Sequence, residues 1–133
     1  MATGDLRRPR AVFFNLLQIQ LPVGALTSIT HRVTGVLLVL NIPVGAYLLD
    51  LSLRSPEGYA EVVALFDKAA VKGGALVMLW ALAHHLLAGI RHLLMDIDVG
   101  SKLPAARRSA WMANLGGLAL VLLAAGAMLW HTR

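Results

Sequence analysis

Two short stretches of this chain set ionisable side chains among apolar ones: SITHRVTG at 28–35 and HHLLAGIRHLLMD at 84–96. In the second, a helical period of about 100° per residue puts His85, Gly89, His92 and Asp96 on one stripe, with His84 and Arg91 on the neighbouring face. A histidine inside an apolar run either ligates a metal group or ties helices together through a hydrogen bond. Zinc would want three or four ligands, and no His, Cys or carboxylate stands at a supporting spacing within that run. A six-coordinate b-type haem needs one neutral imidazole on each side, and Gly89, one turn from His85, leaves room for a flat macrocycle against the backbone. Helix chemistry alone leaves both the haem ligand and the interhelical hydrogen bond open. His84, whose face lacks the glycine, reads as a packing residue.

The first stretch supplies a second polar face. Ser28, Arg32 and Gly35 fall close together on a helix, with His31 about 60° to one side. A guanidinium and an imidazole there can pair with carboxylates such as haem propionates. A serine hydroxyl beside an arginine can also hold a carbonyl oxygen and stabilise negative charge as it develops, which is what reduction of a quinone head group requires. The plainer alternative is that Arg32 reaches out to lipid phosphates, as arginines at helix ends do.

The elements that must position these residues follow from the apolar runs. The 133 residues are 58% hydrophobic and 14% charged, with a mean hydropathy of +0.70, which suits a bilayer better than water. Residues 33–49, 73–90 and 109–130 contain no Asp, Glu, Lys or Arg. At about 1.5 Å per residue they cover roughly 26, 27 and 33 Å, near the hydrocarbon thickness of about 30 Å. In lipid each must pair its own backbone, so the expected fold is an all-α membrane protein of three transmembrane helices in an antiparallel bundle. Residues 1–24 read as an N-terminal and interfacial segment and 25–133 as the anchor, with helices at about 26–50, 71–95 and 109–130. AVFFNLLQIQLPVGAL is interrupted by Asn15, Gln18, Gln20 and Pro22 and is followed by no small-residue cleavage site. A surface-lying segment with Phe13, Leu16 and Leu17 in the interface is preferred over a signal peptide or a twin-arginine signal at Arg7-Arg8.

Charge sets direction. Twelve Lys and Arg against seven Asp and Glu give a net charge of +5. Arg7, Arg8 and Arg10 precede the first span, and Lys102, Arg107 and Arg108 lie between the second and third, so both segments belong in the cytoplasm. The C-terminus then lies on the far side, as does His131. The basic excess is read as orientation in the membrane, not as a nucleic-acid site. On this reading Arg91 marks the cytoplasmic boundary, with His85 about 8 to 9 Å below it. Without cysteine there is no disulfide and no Cys-ligated iron–sulfur cluster, and without G-x-G-x-x-G no flavin-binding fingerprint.

Taken together, S-x-x-H-R-x-[ST]-G and H-x-x-x-G-I-R-H resemble the cytochrome b membrane-anchor subunit of succinate dehydrogenase. The likeness extends to RRPR at 7–10, SPEGY at 55–59 and RRSA at 107–110 and covers nearly the whole chain. It implies that His85, four residues before Gly89, is the axial ligand of haem b iron. Ser28 and Arg32 match quinone-binding positions, His31 and Arg32 lie near the propionates, and Asp96 matches a position close to the quinone pocket. Arg91 and the doubled His84 are grouped with the haem. The resemblance further implies respiratory complex II: a flavoprotein, an iron–sulfur protein, a second anchor subunit that gives the other imidazole, and ubiquinone or menaquinone as substrate. The chain would be a non-catalytic subunit in a bacterial inner membrane, its N-terminus cytoplasmic and its C-terminus periplasmic, bathed in lipid. The competing expectations are a haem-free membrane scaffold or small transporter subunit, and a fumarate reductase anchor.

Overall fold

A computed structural model describes residues 20–131, so the expected interfacial segment up to residue 19 lies outside the described residues. Four helices follow in chain order: α1 (Val23–Arg54), α2 (Pro56–Phe66), α3 (Ala69–Asp96) and α4 (Leu103–His131). Three of them, α1, α3 and α4, are long and apolar enough to cross a membrane. They overrun the expected spans at both ends. At two of these ends, Arg54 of α1 and Arg107-Arg108 of α4, basic side chains continue the helix beyond the apolar run without disturbing its backbone bonding.

The connection at 50–72 holds a helix that runs of hydrophobicity did not reveal. Ser55 caps α2 by accepting from the Gly58 backbone N–H at 3.1 Å, and Pro56 occupies the first turn, where its missing N–H costs nothing. Gly58 sits so close under α1 that a Cβ would collide with the Leu51 carbonyl oxygen. Glu57 lies in the same first turn, and its own backbone N–H and the Ser55 hydroxyl hold its carboxyl below the usual range. Lys72 pairs with Asp67 at 3.5 Å where α3 begins. At the other end of the bundle the turn from α3 into α4 uses positive φ at Asp98 and Gly100.

The bundle is built inside out relative to a soluble protein. Its buried apolar residues are small, namely Ala81, Ala83 and Ala88 on α3 and Ala110 and Ala113 on α4, whereas Val36, Val39, Leu40 and Ile42 of α1 and Leu122 and Leu123 of α4 face outward. Lipid is as apolar as leucine, so exposure of large side chains carries no penalty there, and small residues let the backbones approach. At Gly117 a Cβ would stand 3.2 Å from the Cα of His84, which shows how close α3 and α4 come. Two seams result, one between α1 and α3 and one between α3 and α4. His31, His85 and His92 lie on the first, and His84 and Arg91 on the second.

Candidate functional site

The α1–α3 seam gathers three of the chain's histidines. The His31 ring stacks on His85 with centroids 4.0 Å apart and planes 12° from parallel, and His92 lies 5.1 Å beyond His31. All three are half-buried. His85 Nδ1 is 3.0 Å from the His31 carbonyl oxygen and 3.3 Å from the Thr34 hydroxyl. A carbonyl can only accept, so the proton of the neutral ring resides on Nδ1 and the lone pair on Nε2. Nε2 makes no hydrogen bond among the described residues. That is the tautomer an imidazole adopts as a metal ligand, with its other nitrogen fixed by a carbonyl behind it. The chemistry of this donor therefore fits an iron centre.

The environment of Arg91 differs from the expectation. Arg91 is 8% exposed and does not mark a boundary: its Nε donates to the Ser109 hydroxyl at 3.1 Å and its Nη2 to the Ala106 carbonyl at 3.3 Å. A guanidinium drawn between helices by neutral acceptors no longer reports where the headgroups begin. The first exposed charge after His85 is Asp96 at the end of α3, eleven residues on, or roughly 16 Å along the axis. Arg91 therefore gives no measure of how far His85 stands from the headgroups. A Cβ on Gly89 would come 3.4 Å from His31 Nε2, an ordinary contact, so the His31 ring lies beside this glycine.

The α3–α4 seam takes the other two residues grouped with the haem. His84 is 1% exposed, and its Nε2 lies 3.0 Å from Asn114 Oδ1. Thr27 of α1 reaches the same oxygen at 3.1 Å and the Val23 carbonyl at 2.9 Å, one hydroxyl proton serving the two. His84 Nδ1 is buried without a hydrogen-bond partner, which is tolerable for a bare lone pair and not for an N–H. His84 and Arg91 are thus engaged by α4, away from the ring of His85.

The remaining candidates line the start of α1 and the end of α3. Ser28 is half-buried, one turn before Arg32 on the same face, and Arg32 and Asp96 are exposed. Arg32 makes no ion pair among the described residues, so its fork is open toward whatever covers that end. Four residues escaped sequence reasoning as partners: Thr34 and Gly35 beside His85, and Thr27 and Asn114 beside His84. Thr34 and Gly35 are the tail of the S-x-x-H-R-x-[ST]-G motif, and that was the available signal. Nothing in the sequence pointed from Asn114 to a histidine thirty positions away.

The arrangement defines a class: a helical membrane protein that keeps one imidazole lone pair available in a histidine seam. Comparison with known proteins narrows it. The profile of the succinate dehydrogenase/fumarate reductase transmembrane subunit matches residues 6–132, so the chain belongs to that family. It is 34% identical over 122 residues to the succinate dehydrogenase cytochrome b556 subunit of Coxiella burnetii, covering 91% of this chain and 97% of that protein. The subunit of the same name from Paracoccus denitrificans is 35% identical over 123 residues, 90% of this chain and 92% of its own. The mitochondrial succinate dehydrogenase cytochrome b560 subunit of Mus musculus is 28% identical over 127 residues, 91% of this chain and 69% of that protein.

Proposed function

We propose that this chain anchors a succinate:quinone oxidoreductase in the membrane, ligates one face of haem b through His85 Nε2 and contributes Ser28 and Arg32 to the quinone site. The observation that carries the reading is the His31 carbonyl at 3.0 Å from His85 Nδ1, which leaves Nε2 the ligating nitrogen. The names of the relatives, cytochrome b556 and b560 subunits, support haem b as the group. When bound, the haem supplies a one-electron carrier near the quinone. His31 and Arg32 are the residues of this chain that would hold its propionates, by charge-assisted bonds.

Toward the quinone, the Ser28 hydroxyl donates to one carbonyl oxygen, and the Arg32 guanidinium stabilises negative charge on that oxygen as electrons arrive. Asp96, exposed at the end of α3, is placed to pass protons from water. Two electrons and two protons complete the conversion of quinone, ubiquinone or menaquinone, to quinol. The electrons originate elsewhere, since succinate oxidation needs a flavoprotein and an iron–sulfur protein, and the second imidazole comes from another anchor subunit. Basic residues at 7–10 and 102–108 put the start of α1 and the end of α3 on the cytoplasmic side of a bacterial inner membrane, with the C-terminus in the periplasm.

The test is an optical spectrum of the purified complex, which should show the paired reduced bands of a low-spin b haem. A complex without them is a haem-free scaffold and ends this reading. Ser28→Ala and Arg32→Leu should each depress quinone reduction while succinate oxidation by an artificial acceptor survives. Normal quinone rates in both variants would remove the assigned pocket.

A further inference from the structure

His85 is seated by α1, and the seat is more than the His31 carbonyl. A Cβ on Gly35 would lie 3.0 Å from His85 Cε1 and 3.4 Å from Nδ1, so the α1 backbone presses on the ring edge there. Thr34 is fully buried, and its hydroxyl donates to the Thr30 carbonyl at 2.8 Å or to the His31 carbonyl at 3.0 Å. With that proton directed into the helix, a lone pair of the Thr34 oxygen is free for His85 Nδ1–H at 3.3 Å. The N–H is thus shared between two acceptors. Among the described residues, Thr34 is the one side chain hydrogen-bonded to this imidazole.

We propose that Thr34 is a positioning residue that tunes the iron through His85, a claim that rests on His85 being the axial ligand. Two acceptors behind Nδ1 push electron density toward Nε2, and a more basic ligand stabilises ferric over ferrous iron. The glycine beside it lets the ring lie close to α1, since a Cβ there would require the imidazole to give by a few tenths of an ångström. The tail of the first motif therefore serves the ligand of the second, in addition to any contact its serine and arginine make with quinone.

Thr34→Val keeps the shape and removes the acceptor. In the assembled complex it should retain haem while the midpoint potential rises. Poised at the wild-type midpoint, the ferrous:ferric ratio should increase by roughly twofold to tenfold, the weight of one net hydrogen bond. Thr34→Ser, which restores the oxygen, should return the ratio to near the wild-type value. A merely structural role would lower haem content and leave the potential of the remaining haem where it was. Full haem content with an unmoved potential in Thr34→Val overturns the proposal, as does a Ser variant displaced as far as Val. If the Val variant fails to assemble, Thr34→Ala is read by the same two outcomes. Retention of haem by His85→Ala would instead overturn the parent assignment of the ligand, so the two failures are distinguishable.

Discussion

His84 and His85 are neighbours in sequence and opposites in environment. His84 lies in the α3–α4 seam, 1% exposed, its Nε2 held by Asn114. His85 lies in the α1–α3 seam, half-buried, with Nδ1 held by a carbonyl and Nε2 unengaged among the described residues. The same contrast extends a turn or two along α3, where Arg91 bonds to α4 and His92 joins the histidine file. A polar group in an apolar bundle either joins helices, and then its donors are matched, or is held in place with one atom left over. Each ring keeps one unmatched nitrogen, His84 Nδ1 sealed between helices and His85 Nε2 in a half-buried residue, so the difference teaches that an unmatched atom marks a site where a ligand can reach it.

Exchanging the fates of the two histidines gives the largest expected effect. His85→Ala should abolish haem binding while succinate oxidation by an artificial acceptor persists. His84→Ala should keep the haem and lose stability, and haem content in the purified complex decides between the two seams. If the His84 variant is the haem-free one, the comparison is inverted.

The next effect probes the α3–α4 tie alone. Asn114→Leu leaves the buried His84 N–H without an acceptor, which costs about 1 to 3 kcal/mol. Thermal inactivation of the complex in detergent should occur at lower temperature, with an unaltered haem spectrum. A spectral change of the kind seen on replacing His85 would mean that the two seams are coupled and do not act independently.

The smallest effect lies outside both seams, at the start of α2. Glu57 has a folded pKa below its unfolded value, so its contribution is present above the ordinary carboxylate range and is lost as pH falls through the lowered folded value. Glu57→Gln should therefore narrow the gap in thermal stability between neutral and mildly acidic pH, slightly, because the side chain is exposed. An identical gap in variant and wild type would show that this carboxyl carries none of the acid sensitivity.

Much of this was legible before folding. Runs without charge gave the three spans, because lipid admits only segments that pair their own backbone. The period of α3 separated the His85 stripe from the His84 face, and the two rings do lie in different seams. The α2 helix was not legible, since eleven residues with a serine cap and a glycine lodged against Leu51 leave no hydrophobic run. Arg91 was misplaced for a related reason: a charge at the end of an apolar stretch reads the same whether it meets headgroups or a hydroxyl on another helix.

By itself, then, the sequence determined which segments are helices in lipid and which faces of those helices carry polar atoms, because both depend on residues a few positions apart. Which polar atom is matched was decided only by tertiary structure. Asn114, Ser109 and the His31 carbonyl reach their partners across 30, 18 and 54 positions of chain, and a hydrogen bond formed over such a separation exists only once the helices have packed.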